Sequence, residues 1–203
     1  MTQATRIIEL KPDDETAVLQ TAEILLEAFG GRAPEWPDID STLKYVRGSL
    51  AQTDPERINL VAVAGDGRVL GYAGGTNEGN GGFLWELDPL VVIADSRRLG
   101  IGRTLVEEVE ERIRARGALT LWLGTDDWAN LTSLGGTDLY PDVLGHLANI
   151  KNLANHPYAF YQKIGFVIVG VIPDSNGWGK PDILMAKRVA QEGITGISRS
   201  TRP

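Results

Sequence analysis

Residues 83–117 read FLWELDPLVVIADSRRLGIGRTLVEEVEERIRARG: an apolar run, a glycine-punctuated loop and an amphipathic helix in direct succession. Phe83–Ile93 is rich in large and β-branched residues and predicts a long strand, with Pro89 marking a bulge or an unpaired edge. With a period of two, Glu86 shares a face with Leu84 and Asp88, and Phe83, Trp85 and Leu87 take the other. Beyond the loop, Ile101, Leu105, Val109 and Ile113 recur every fourth residue, the buried stripe of a helix that Gly117 ends. Glu108–Arg112 and Glu110–Arg114 pair at i,i+4 on what reads as its solvated face. The loop carries Arg97, Arg98, Gly100 and Gly102, with Arg103 just inside the helix. Glycines let a ligand approach the backbone, and the free amides of a helix start attract an anion. Neither the G-x-G-x-x-G nor the P-loop spacing is met, since Leu105 stands where a third glycine would be.

Working outward, Arg6–Leu10 predicts a first strand, and Val18, Ala22, Leu25, Leu26 and Phe29 a helix closed by Gly30-Gly31. Asp40 or Ser41 is expected to cap a second helix through about Leu50. Ile58–Ala64 and Val69–Ala73 flank Asp66-Gly67 as a hairpin, followed by a glycine-rich loop over Gly74–Gly82. On the other side, Leu119–Gly124, Phe166–Ile172 and a segment from Pro181 to Ala186 predict strands. Short helices are expected around Val143–Ile150 and over Pro157–Lys163. Interspersed helices and strands of this kind give an α/β or α+β domain on a mixed sheet. One domain is expected over 1–189, with a mobile tail over 190–203.

The 203 residues are 42% hydrophobic and 23% charged, as in ordinary globular chains, and contain no cysteine and two histidines. Thiolate metal sites, iron–sulfur clusters, disulfides and cysteine nucleophiles are thereby excluded, and no metal centre is expected. No apolar run approaches the roughly 18 residues of a membrane helix. The first residues lack the pattern of a secretory leader, so a cytoplasmic protein with no membrane partner is expected. The net charge of −7 argues against a nucleic-acid partner and suits a cationic one.

Arg97-x-x-Gly100-x-Gly102, on a strand–loop–helix, resembles the acyl-CoA pyrophosphate loop of the GNAT family of N-acetyltransferases. Phe160-Tyr161-Gln162-Lys163-Ile164-Gly165-Phe166 resembles the same family's FY-x-x-x-GF segment. Further segments are Trp85–Val92, Leu123–Asp127, Thr137–Tyr140, His156–Tyr158, Ile168–Pro173 and Asn176–Ile183. As a set they resemble the aminoglycoside 6′-N-acetyltransferases of the enterococcal, chromosomally encoded type. The resemblance implies the GNAT fold, a central mixed, mostly antiparallel twisted sheet flanked by helices. It also implies acetyl-CoA as donor, an aminoglycoside 6′-amine as acceptor and a homodimer.

Direct attack of an amine on the thioester needs a base, an oxyanion donor and an acid for the leaving thiolate. The resemblance assigns these to Glu86, the Leu90 backbone N–H and the Tyr161 phenol. It places Arg97, Arg98, Gly100, Ile101, Gly102, Arg103 and Thr104 around the pyrophosphate. Val91 and Val92 are expected to pair with the pantetheine through their backbones, with Asn155 nearby. Acceptor candidates are Trp36, Glu35, Asp38, Glu86, Asp88, Asp126, Asp127, Asp138 and Tyr140. Asp88 stands where these relatives carry histidine, and Ala129 where they carry an acid. An acetyltransferase of the same fold acting on a polyamine or protein amine, and a non-enzymatic acyl-CoA sensor, are the alternatives.

Overall fold

The structure is a computed structural model that describes residues 5–31, 36–79 and 81–190. The strands are β1 (Arg6–Glu9), β2 (Arg57–Val63), β3 (Val69–Asn77), β4 (Leu84–Val92), β5 (Thr120–Asp126), β6 (Val167–Ile172) and β7 (Asp182–Arg188). The helices are α1 (Glu15–Phe29), α2 (Ile39–Ala51), α3 (Ile101–Arg114), α4 (Val143–Ala148) and α5 (Tyr158–Lys163). Together the strands form one sheet in the order β1-β2-β3-β4-β5-β7-β6. All neighbours are antiparallel except β4 and β5, which run parallel.

Each face of the sheet has its own core. Under α3 lie Trp85, Leu87, Leu105, Val109, Ile113, Leu121 and Met185, and under α1 and α2 lie Val18, Leu25, Val46, Val61, Tyr72 and Val91. The helical spacing of Leu105, Val109 and Ile113 is thus the stripe that α3 buries.

Four expectations need correction. The α2 cap is Asp38, whose carboxylate accepts from Ser41 N–H at 2.8 Å. Gly74–Asn77 continues β3 instead of forming a loop. A Cβ on Gly74 would collide with the Asp88 carbonyl, and one on Gly75 would lie 3.3 Å from Val109 Cγ1. These glycines serve close packing within a strand. Phe83 precedes β4 and is 54% exposed. Glu110, expected on the solvated face of α3, is buried and takes Lys187 Nζ at 2.6 Å.

Candidate active site

Parallel β4 and β5 are in register only at Leu84–Thr120, Trp85–Leu121 and Glu86–Trp122. Both strands run on, to Val92 and Asp126, without further pairing, so the sheet opens between them.

A bulge on β4 shapes that opening. Leu87 pairs with Gly75 and Leu90 with Ala73, so Asp88 and Pro89 together face Gly74. The extra residue shifts the phase of the strand. Before it Trp85 and Leu87 point under α3; after it Leu90 and Val92 do, while Val91 turns to the α1–α2 core. Glu86 and Asp88 accordingly stay on the face away from α3.

The bulge also fixes the backbone directions. Ile93 N–H donates to Leu70 O at 3.0 Å, so residues 93 and 91 spend their backbone groups on β3. By the alternation of an antiparallel ladder, Leu90 and Val92 direct theirs into the opening. Arg97 Nε donates to Val92 O at 2.9 Å from that side. The Leu90 and Val92 N–H groups thus face the opening, with the Val92 carbonyl taken by Arg97. Val91, expected to meet the pantetheine through its backbone, pairs instead with Tyr72 on β3.

The loop beyond β4 ends in a left-handed turn, with Arg98 at φ 66° and Gly100 at φ 87°. No side chain caps α3, and no acidic residue sits in its first turn. The first backbone bond of the helix is Thr104 N–H to Gly100 O at 3.0 Å, so the amides of Ile101, Gly102 and Arg103 precede the ladder. Arg97, Arg98 and Arg103 are exposed around this helix start. Ile101 has a buried side chain in the core and offers only its amide. Thr104 Oγ1 turns back on Gly100 O at 3.3 Å. A Cβ on Gly102 would touch the Phe160 ring at 3.4 Å, which sets how closely α5 meets α3. Asn155 is exposed, with φ 60°.

A cleft of about 820 Å³ lies at the opening, lined among others by Trp36, Arg57, Asp88, Leu90, Asp126 and Tyr161. Phe166 supports Tyr161 edge-on, with ring centroids 5.7 Å apart. Burial, then the charge of Asp88, raises the Tyr161 phenol above its ordinary value, which keeps it protonated at neutral pH. Burial, then the charges of Asp88 and Glu78, pushes the half-buried Glu86 carboxyl up to about 8, with Arg57 opposing.

The acceptor candidates separate. Trp36 is buried against Phe29 and Tyr45 on the cleft wall. Asp88 and Asp126 line the cleft. Asp127 does not: it is fully buried and accepts from Leu131 N–H, Thr132 N–H and Thr132 Oγ1 at 2.6, 3.0 and 2.7 Å. Its carboxylate closes the turn after β5, a correction to its expected place. Asp138 accepts from Tyr140 N–H at 3.0 Å, and both residues are exposed outside the cleft lining. Asp38 is spent as the α2 cap, and Glu35 lies outside the described residues.

Sequence reasoning missed Arg57, Tyr45, Trp128 and Asn176 on the cleft wall. It also missed Asp182, which faces Asp126 across β5–β7 and whose carboxyl is pushed up to about 6 by burial and then by Asp126. Trp128, an aromatic directly after the acidic pair, was the one with a readable signal. Among the described residues no cluster of three or more His, Asp or Glu is placed to hold a metal ion, and no helix is long and apolar enough to cross a membrane.

The sequence profile of the acetyltransferase (GNAT) family matches residues 18–137. The chain belongs to this family. A solved structure, an aminoglycoside 6′-N-acetyltransferase complexed with coenzyme A, is 38% identical with a TM-score of 0.80, and the match covers 92% of this chain and 98% of the other. The enzyme of that name from Enterococcus faecium gives the same values. An aminoglycoside 6′-acetyltransferase of type Ii is 33% identical over the same shares, with a TM-score of 0.67. No curated protein matches the chain. The seven-stranded, mostly antiparallel sheet flanked by helices is the GNAT architecture, as the resemblance implied.

Proposed function

We propose that this GNAT enzyme transfers an acetyl group from acetyl-CoA to the 6′-amine of an aminoglycoside. The observation that carries the acceptor class is one cleft holding Asp88 and Asp126 beside Tyr161 and the inward-directed Leu90 amide. Carboxylates on its wall attract an acceptor with several ammonium groups. The 38% identity to aminoglycoside 6′-N-acetyltransferases supports the same reading.

The residues present fit the donor. Leu90 and Val92 direct their N–H groups into the opening along the edge of β4, while Arg97 takes the Val92 carbonyl, and the uncapped α3 start with its three arginines suits a pyrophosphate. Acetyl-CoA supplies the thioester carbonyl and the thiolate leaving group. Glu86 takes the proton from the acceptor ammonium, directly or through water, so that the neutral amine attacks, and its raised value places it near working pH. Leu90 N–H donates to the carbonyl oxygen as negative charge develops. Tyr161 delivers its phenolic proton to the departing sulfur. Arg97, Arg98 and Arg103, with the amides of residues 101–103, hold the diphosphate.

The chain works as a single domain over residues 1–189; residues 191–203 lie outside the described residues. It works as a homodimer in the cytoplasm. Support for the dimer is the edge strand β6, whose Val167 and Val169 are 61% and 59% exposed.

Thiol release from acetyl-CoA with kanamycin, tobramycin, gentamicin, spermidine and a peptide tests the proposal. Turnover is expected with the 6′-amino aminoglycosides. No turnover with any of them, or faster turnover of spermidine, overturns it. Sedimentation at micromolar concentration checks the dimer.

A further inference from the structure

We propose that Arg57 is a positioning residue, holding the Asp88 carbonyl of the β4 bulge so that the Leu90 N–H stays directed at the thioester. This rests on the reading of Leu90 as the oxyanion donor. Arg57 opens β2, two strands away from β4 in the sheet. Its side chain reaches β4 over Gly74, the residue facing the bulge. A Cβ there would collide with Asp88 O and lie 3.3 Å from Arg57 Nη2. The glycine therefore keeps open the gap through which the guanidinium and the carbonyl meet.

Arg57 Nη2 donates to Asp88 O at 3.1 Å and to Tyr45 Oη at 3.2 Å. The guanidinium carbon sits 5.7 Å from the Tyr45 ring centroid, and Tyr45 in turn packs edge-on against Trp36. The guanidinium is thus fixed from α2 as well as from the bulge. A charged donor on a carbonyl binds more strongly than a neutral ladder amide.

The bulge decides where the Leu90 amide points. Moving the extra residue one place along β4 would return that amide to β3, because successive residues alternate their backbone directions. Fixing the Asp88 carbonyl selects the register that leaves Leu90 free. It also accounts for a cation on the wall of a cleft that receives a polycation: the guanidinium serves the backbone of the enzyme.

Two measurements test this. In the first, kcat and the acetyl-CoA KM are compared for wild type, R57A and R57K with kanamycin. The R57A kcat should fall about 10²-fold with the acetyl-CoA KM within about threefold. R57K should recover part of the loss, and added methylguanidine should raise R57A activity at least about fivefold. In the second, the carbonyl stretch of bound [1-¹³C]acetyl-CoA is recorded without acceptor. Wild type should lower it relative to free acetyl-CoA, and R57A should remove most of that shift.

Unchanged kcat and an unchanged carbonyl shift in R57A overturn the proposal, as does a wild-type carbonyl with no shift. A wild type that lacks turnover of kanamycin but shows an Arg57-dependent shift overturns the acceptor reading alone. If R57A does not fold, R57K decides: a kcat and carbonyl shift equal to wild type overturn the proposal.

Discussion

The imidazole of His156 joins Asp126 to Tyr158. Its Nε2 lies 3.1 Å from Asp126 O, and its Nδ1 accepts from Tyr158 N–H at 3.2 Å. Because Nδ1 accepts, Nε2 carries the proton and donates to the carbonyl, which fixes a single neutral tautomer. The ring ties the end of β5, where Asp126 lines the cleft, to the first residue of α5, the helix that carries Tyr161.

That ring is 1% exposed, and burial holds its pKa below the ordinary histidine value. The unfolded chain therefore binds the proton more tightly, and stability is lost as pH falls below about 6.5. Glu86 and Asp182, with raised values, tilt the other way, so the difference between proteins is the readout. H156A should lower stability by about 1–3 kcal/mol at pH 7.5. Its melting temperature should lose less than that of wild type between pH 7 and 5. Parallel melting curves across that range would count against the assignment.

For Glu86, a folded value of about 8 against an ordinary 4.5 means that stability falls as pH rises from the lower value through the higher one. E86Q should therefore melt higher than wild type at pH 8. Activity moves in the opposite sense. The wild-type kcat at saturating acceptor should rise with pH through a limb at or below about 8, because a bound polycation favours the carboxylate. E86Q should lose about 10²-fold or more in kcat, with acetyl-CoA affinity little changed. An E86Q enzyme with the wild-type limb would place the base elsewhere.

Tyr161→Phe keeps the ring against Phe166 and removes only the hydroxyl. The melting temperature should stay within a few degrees of wild type, while kcat falls about 10- to 100-fold. Stopped-flow measurement of thiol release checks this, and an unchanged rate would mean that solvent protonates the thiolate.

Asp126 and Asp127 adjoin in sequence and should part in behaviour. D127A leaves two backbone amides and a hydroxyl without their acceptor, beneath a turn in which Asp127 and Thr132 are buried. It should cost about 2–4 kcal/mol by urea denaturation. D126N should leave stability nearly unchanged and raise the aminoglycoside KM by about tenfold. The reverse pattern would exchange their roles.

The contrast between these two aspartates also shows what the one-dimensional pattern carries. Period-two alternation put Glu86 and Asp88 on one face, and the bulge at Pro89 was readable because proline removes a ladder donor. The same alternation separates Asp126 from Asp127, with Asp127 on the buried side. Both nevertheless read as acceptor ligands, because a buried carboxylate filled by its own loop leaves no local mark. The phase change after the bulge, which takes Val91 to the other core, also follows from register and not from composition. Gly74 and Gly75 looked like loop residues because glycine signals close contact and chain reversal alike. Arg57 was silent: its partner carbonyl lies 31 residues away in sequence.

The gap between β4 and β5 has a consequence for the protein without its donor. Past Glu86 and Trp122 the sheet carries an unzipped seam in its middle. Free strand edges are templates for any extended chain, including another copy of this one. On the proposed reading, a pantetheine arm lying in the seam would take the place of a missing strand and deny it to others. Loss of the donor would then leave the enzyme idle and adhesive at once, two states that one small molecule would hold off together.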